Sequence, residues 1–177
     1  MAPKKYVQDT PDVERYLKAT GEEKIKMWLS VGEREGGVAG VLVPKPFNVS
    51  VIPFVTYISS SATPTPRASF HYTVQKSHCN TIGNLSGGAA ATLLDYLTTL
   101  PICLVNSPSW IYLGISRNLS LTFLQPAPLG ETVRVDCEVL GIGKRMATIR
   151  AEIKREADGT VLVVAEHSVV SISAGKA

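Results

Sequence analysis

Between Lys76 and Arg117, with histidine counted as neutral, the chain carries a single charged side chain, Asp95. The segment around it reads Asn80-Thr81-Ile82-Gly83-Asn84-Leu85-Ser86-Gly87-Gly88-Ala89-Ala90-Ala91-Thr92-Leu93-Leu94-Asp95, small and aliphatic on nearly every side after the glycine pair. A helix apolar around its whole circumference belongs inside a core, so other elements must wrap this one. Pro101 is expected to stop it. Asp95 is expected to be buried with its helix. A buried carboxylate needs hydrogen-bond partners or a shifted pKa, which makes Asp95 a candidate functional group. The structural alternative is a carboxylate satisfied by Thr92 and Thr99, at i−3 and i+4 on its own helix. The window from Leu85 to Val105 is long enough to cross a bilayer. An aspartate at its centre is costly in lipid, so a core helix is expected and no membrane span.

The wrapping material is legible on both sides. Phe54 to Ser60 is β-branched and aromatic, Pro64 and Pro66 mark a turn, and Arg67 to Lys76 alternates with Phe70, Tyr72 and Val74 on one side. After the helix come Ile115 to Leu124, a Pro126–Gly130 turn, and a strand in which Val133, Val135, Cys137 and Val139 alternate with polar residues. Ala147, Ile149, Ala151 and Ile153 repeat that pattern, and Asp158-Gly159 is a hairpin signal leading into Val161 to Ile172. Two strands, one apolar helix and four strands imply a sheet covered by that helix. Upstream, Thr10-Pro11 and the capping box Thr20-Gly21-Glu22-Glu23 each open a short helix. Glycines 32, 36, 37 and 40 and prolines 44 and 46 mark irregular chain after them. Residues 1–50 are therefore expected to form a helical arm and connecting segment, and residues 51–177 the main domain.

At 177 residues the chain is long enough to bury one proper core. A net charge of +3, scattered in ones and twos, argues against nucleic acid as a principal partner. Cys79, Cys103 and Cys137 are odd in number and lack metal-ligand spacing, so they read as free thiols and no metal site is expected. The first residues show no secretory pattern, and a cytoplasmic, alternatively mitochondrial, location is expected.

Asn80-x-x-Gly83-x-x-Ser86-Gly87-Gly88 followed by Asp95 resembles the signature of hot-dog-fold acyl-CoA thioesterases of the phenylacetate-pathway and thioesterase-superfamily-member-2 type. The resemblance continues in Gly114-Ile115-Ser116, Pro126-Ala127-x-Leu129-Gly130-Glu131, Gly143-Lys144-Arg145 and Asp158-Gly159 through His167, covering about residues 54–172. It implies an α+β hot-dog fold, a curved antiparallel sheet around one central helix, here with an N-terminal helical extension. It also implies hydrolysis of acyl-CoA to a carboxylic acid and free thiol, with no cofactor beyond the coenzyme A of the substrate. By that resemblance the Gly87 N–H polarises the thioester carbonyl and Asn80 orients the carbonyl or the water. Asp95 acts as general base or nucleophile, and Ser116 helps to hold the water.

Elementary chemistry supports those assignments. Gly87 and Gly88 at a helix start present backbone N–H groups without intrahelical partners. Such donors, aimed at a developing oxyanion, contribute on the order of 10²–10³ in rate. Asp95 lies eight residues further, roughly 12 Å along a helix, too far to act with Gly87 of the same chain on one carbonyl. The resemblance supplies the resolution, a dimer or tetramer in which each site draws on two subunits. Strand parity sets Ser116 with Asn118 and Ser120 on the polar face, so its contact with the site requires the partner or a bulge.

Ser86 stands where many relatives of this type carry His; it is expected to cap the helix and line the substrate site with Gly88. Lys144 and Arg145, in a turn, suit the phosphates of coenzyme A. His78 reads as a loop or packing residue, His71 as a strand-surface residue and His167 as a satisfied strand histidine, although His167 also matches a histidine of the resembled family. Two other readings stay open at this point: an acyl-thioester hydratase or dehydratase on the same fold, and a non-catalytic acyl-CoA-binding protein.

Overall fold

The computed structural model describes residues 11–30 and 50–172. The Thr10 cap and the glycine- and proline-marked segment from Gly32 to Pro46 lie outside the described residues. Six strands form one antiparallel sheet: β1 (Val55–Ser61), β2 (Arg67–Thr73), β3 (Ile115–Phe123), β4 (Thr132–Ile142), β5 (Met146–Arg155) and β6 (Val161–Val170). Their order is β1-β2-β4-β5-β6-β3, so β3 leaves its hairpin neighbours and becomes an edge strand beside β6. The alternation read in the sequence is the alternation of burial. Val133, Val135, Cys137 and Val139 point inward from β4, and Ala147, Ile149, Ala151 and Ile153 from β5.

Against that inner face lies α3 (Gly87–Leu97), burying Ala90, Leu93, Leu94 and Leu97. A fully buried leucine contributes about 1.5–3 kcal/mol, so these positions anchor the helix firmly. Here lies a first correction. The helix ends at Leu97, four residues before Pro101, and the chain continues as a separate 3-10 turn, Leu100–Leu104, with the proline in its first positions. The composition of a membrane span over Gly87–Leu104 is thus divided between two elements and more than half buried in the fold.

Two short helices precede the sheet, α1 (Pro11–Lys18) and α2 (Gly21–Leu29). The capping box forms as read: Thr20 Oγ1 accepts from Glu23 N, and Glu23 accepts from Thr20 N. Ile25 of α2 is part of the main core, and Tyr96 of α3 donates its hydroxyl to the Trp28 carbonyl. Tyr16 and Met27 form a smaller cluster with Trp28 and Tyr112. The described arm therefore packs at the C-terminal end of α3.

Candidate active site

The N-terminal end of α3 is shaped by a tight loop. Asn80 Oδ1 accepts from Ile82 N at 3.1 Å and Asn84 N at 3.0 Å, while Gly83, at φ +80°, closes the turn by donating its N–H to the Asn80 carbonyl. The side-chain oxygen is thus spent on the loop. Among the described residues the amide NH₂ of the exposed Asn80 makes no hydrogen bond, so it is the end available to a ligand. Ser86 is the N-cap: its Oγ accepts from Ala89 N at 3.2 Å. Gly87 and Gly88 follow, exposed, with no intrahelical acceptor for their N–H groups. A Cβ on Gly87 would stand 3.2 Å from the Phe123 ring. Asn80, Gly87 and Phe123 share a cleft of about 380 Å³ with Leu124 and Leu162.

The other end of the helix holds a second cluster. Asp95 is not buried. Half of its side-chain surface is open, and it lies on a stripe with Gly88, Ala91 and Thr92 that the sheet leaves uncovered. The expectation of burial fails because a stripe of small residues beside an open sheet edge has the same composition as a core-facing one. Nor do the threonines satisfy it, since Thr92 donates to Gly88 O and Thr99 to Tyr96 O. Its partner is Ser116, whose Oγ donates to Asp95 Oδ1 at 2.7 Å. A β-bulge between Ser116 and Asn118 turns that hydroxyl toward α3 against simple parity.

Behind Asp95 lies His167, fully buried on β6. Its Nδ1 pairs with Thr98 Oγ1 at 2.6 Å, but its Nε2 has no hydrogen bond and stands 3.6 Å from Asp95 Oδ1. The satisfied histidine expected from the sequence is therefore only half satisfied. Burial holds its pKa below the ordinary value, opposed by the nearby Asp95 charge. The signal for this residue was an imidazole on the inward-facing row of β6, where Val163, Ala165 and Val169 are its neighbours.

The remaining candidates fall elsewhere. Lys144 and Arg145 are exposed in the β4–β5 turn, with no ion pair among the described residues. His78 is buried, with Nδ1 2.6 Å from the hydroxyl of Tyr72, whose pKa burial pushes up to about 12. His71 faces Glu156 at 3.2 Å on the sheet surface. Cys103 is pushed up to about 12 by burial and Cys137 is raised for the same reason, so both stay thiols. Among the described residues no His, Cys, Asp and Glu side chains gather in a metal-binding group.

Asn80 and Gly87 thus stand together at one end of α3, and Asp95, Ser116 and His167 at the other. The family model described as "Thioesterase superfamily" matches residues 82–162, the span that holds both clusters apart from Asn80 and His167. Over that span, a little under half of its length, the chain is similar to the thioesterase superfamily. Human acyl-coenzyme A thioesterase 13 is 30% identical over 95 residues, which are 54% of this chain and 66% of the human protein, just under two thirds of its length. Zebrafish thioesterase superfamily member 2 superposes with a TM-score of 0.69 at 21% identity, over 87% of this chain and 99% of that one. A hypothetical thioesterase protein of Streptococcus pneumoniae TIGR4, solved with coenzyme A, gives a TM-score of 0.55 at 19% identity over 66% of this chain and 85% of that one. The architecture is the hot-dog fold expected from the sequence.

Proposed function

We propose that the protein is an acyl-CoA thioesterase, hydrolysing RCO–S–CoA to a carboxylate and coenzyme A in a site shared by two copies. The observation that carries this reading is the Asp95–Ser116 hydrogen bond on an open face, at the opposite end of α3 from the free Gly87 and Gly88 N–H groups. Ser116 occupies Oδ1 and leaves Oδ2 to take a proton from water. Asn80 NH₂ and Gly87 N–H of the other copy hold the carbonyl as it becomes an oxyanion. Edge strand β3 lies beside the uncovered stripe of α3. Antiparallel pairing of two β3 edges brings each Asp95 toward the partner's helix start. Ser86 and Gly88 line the thioester, and Lys144 and Arg145 reach the coenzyme A phosphates; the solved neighbour with coenzyme A supports that ligand class. The chemistry asks for water and no redox or metal cofactor.

The hydratase reading needs a histidine at the helix start, but Ser86 stands there and His78 turns inward to Tyr72. Thiol release from acyl-CoAs of short, long and aromatic chains is the direct assay. Asp95→Asn is expected to lower turnover by at least ~10²-fold, with an unchanged unfolding transition because the side chain is open to solvent. Near-native turnover in that variant overturns the mechanism, and absorbance loss from crotonyl-CoA without thiol release overturns the reaction class.

A further inference from the structure

Thr98 is the C-cap residue that follows α3, one turn beyond Asp95, and is fully buried. Its hydroxyl has two close neighbours, the Leu94 carbonyl at 2.6 Å and His167 Nδ1 at 2.6 Å. A carbonyl only accepts, and a threonine hydroxyl has one proton. That proton therefore goes to Leu94 O; the opposite choice would press two oxygen lone pairs together at 2.6 Å in the core. With its proton committed, Thr98 Oγ1 accepts, and Nδ1 of the imidazole must donate. A neutral His167 then has no proton on Nε2, the atom that stands unpaired 3.6 Å from Asp95 Oδ1.

We propose that Thr98 is a positioning residue that fixes the His167 tautomer, so that a bare Nε2 faces Asp95 and takes over the proton that Asp95 draws from water. The inference rests on the hydrolytic reading and gives its general base a second proton station. As the water oxygen bonds to the thioester carbon, the water O–H bond breaks and its proton passes to Asp95. The carboxyl group then turns to close the 3.6 Å gap and delivers that proton to Nε2, leaving a carboxylate beside an imidazolium, each stabilising the other. When the C–S bond breaks, the departing thiolate takes that proton back through Asp95 and leaves as the thiol. The groups against the ring are compatible with this. Asp95 is the titratable one on α3, while the register partners of His167 on β3 and β5 are Leu119 and Ile149. Burial keeps the resting imidazole neutral and ready to accept.

The test reads the tautomer directly. In full-length protein labelled with ¹⁵N in its imidazoles, His167→Gln assigns the signal, and the wild-type ring is expected to carry its neutral proton on Nδ1. A proton on Nε2 overturns the proposal, whatever the assay shows. Thr98→Val, which deletes the hydroxyl at nearly constant volume, is expected to release that preference. It is also expected to lower kcat roughly tenfold or more, part of the contribution of a positioned acid–base group, at little change in KM, and to shift the kcat–pH profile. Thr98→Ser is expected to restore both. Equal loss in the two variants, or a valine variant with native kcat and pH profile, also overturns it. Absence of thiol release with every thioester would instead remove the hydrolytic reading while leaving the tautomer result standing.

Discussion

Asp95, Ser116 and His167 show how little of a candidate site residue's setting its own identity specifies. A charge isolated between Lys76 and Arg117 marks Asp95 from the sequence, but its half-open surface and its 2.7 Å bond to Ser116 come from the fold. Strand parity alone sets Ser116 on the polar face, and of the two routes left open to it, partner or bulge, the structure has the bulge, in which one extra residue reverses the side that a side chain takes. His167 has a consequence for stability. Its folded pKa is held down by burial, whereas the unfolded chain titrates near ~6.5. The unfolded state thus binds the proton first, and the stability tied to a neutral ring is present above about pH 6.5 and lost as pH falls through the folded value. The unfolding temperature is expected to drop as pH falls below about 6.5, and His167→Gln to flatten that drop in a calorimetric series. An equally steep fall in the variant would assign the effect to other groups.

At the scale of elements, most of the fold was readable. All six strands lie within a few residues of their alternating segments because strict period-two burial leaves few registers open. The end of α3 was less readable, since Thr98 and Thr99 interrupt the helix without any breaker in the sequence. The arm's docking was also hidden, for it depends on close approach rather than on pattern. A Cβ on Gly21 would meet Leu104 Cδ2 at 2.8 Å and the Leu104 Cα at 2.9 Å. Backbone cannot yield as a side-chain tip does, so Gly21→Ala is expected to destabilise by about 1–3 kcal/mol. Urea unfolding measures this, and an unchanged midpoint would show that α2 is not held by that contact.

For the whole molecule the decisive feature is an unpaired edge. Among the described residues β3 has a neighbour on one side only, and Ile115, Phe123 and Leu124 expose 61%, 55% and 50% of their surface along it, a concentration that solitary folds avoid. Pairing of two such edges completes the proposed site. Asn118 and Ser120 flank the middle of β3 and are both exposed. Replacing both by Glu sets like charges against each other across an antiparallel pair of copies. Sedimentation is expected to show a monomer, with thiol release falling in parallel. A monomer that keeps full turnover would refute the shared site.

The sequence by itself determined the order of elements, the inward row of each strand, the caps of α2 and α3, and the identity of the carboxylate and glycine pair. These follow from periodicity, capping chemistry and charge placement, all of which act over a few neighbouring residues. Only the tertiary structure decided that the stripe bearing Asp95 is open, that a bulge turns Ser116 toward it, and that Thr98 and His167 stand behind it. Those relations join α3 to β3 and β6, segments distant along the chain, and such pairings depend on how faces pack rather than on local composition.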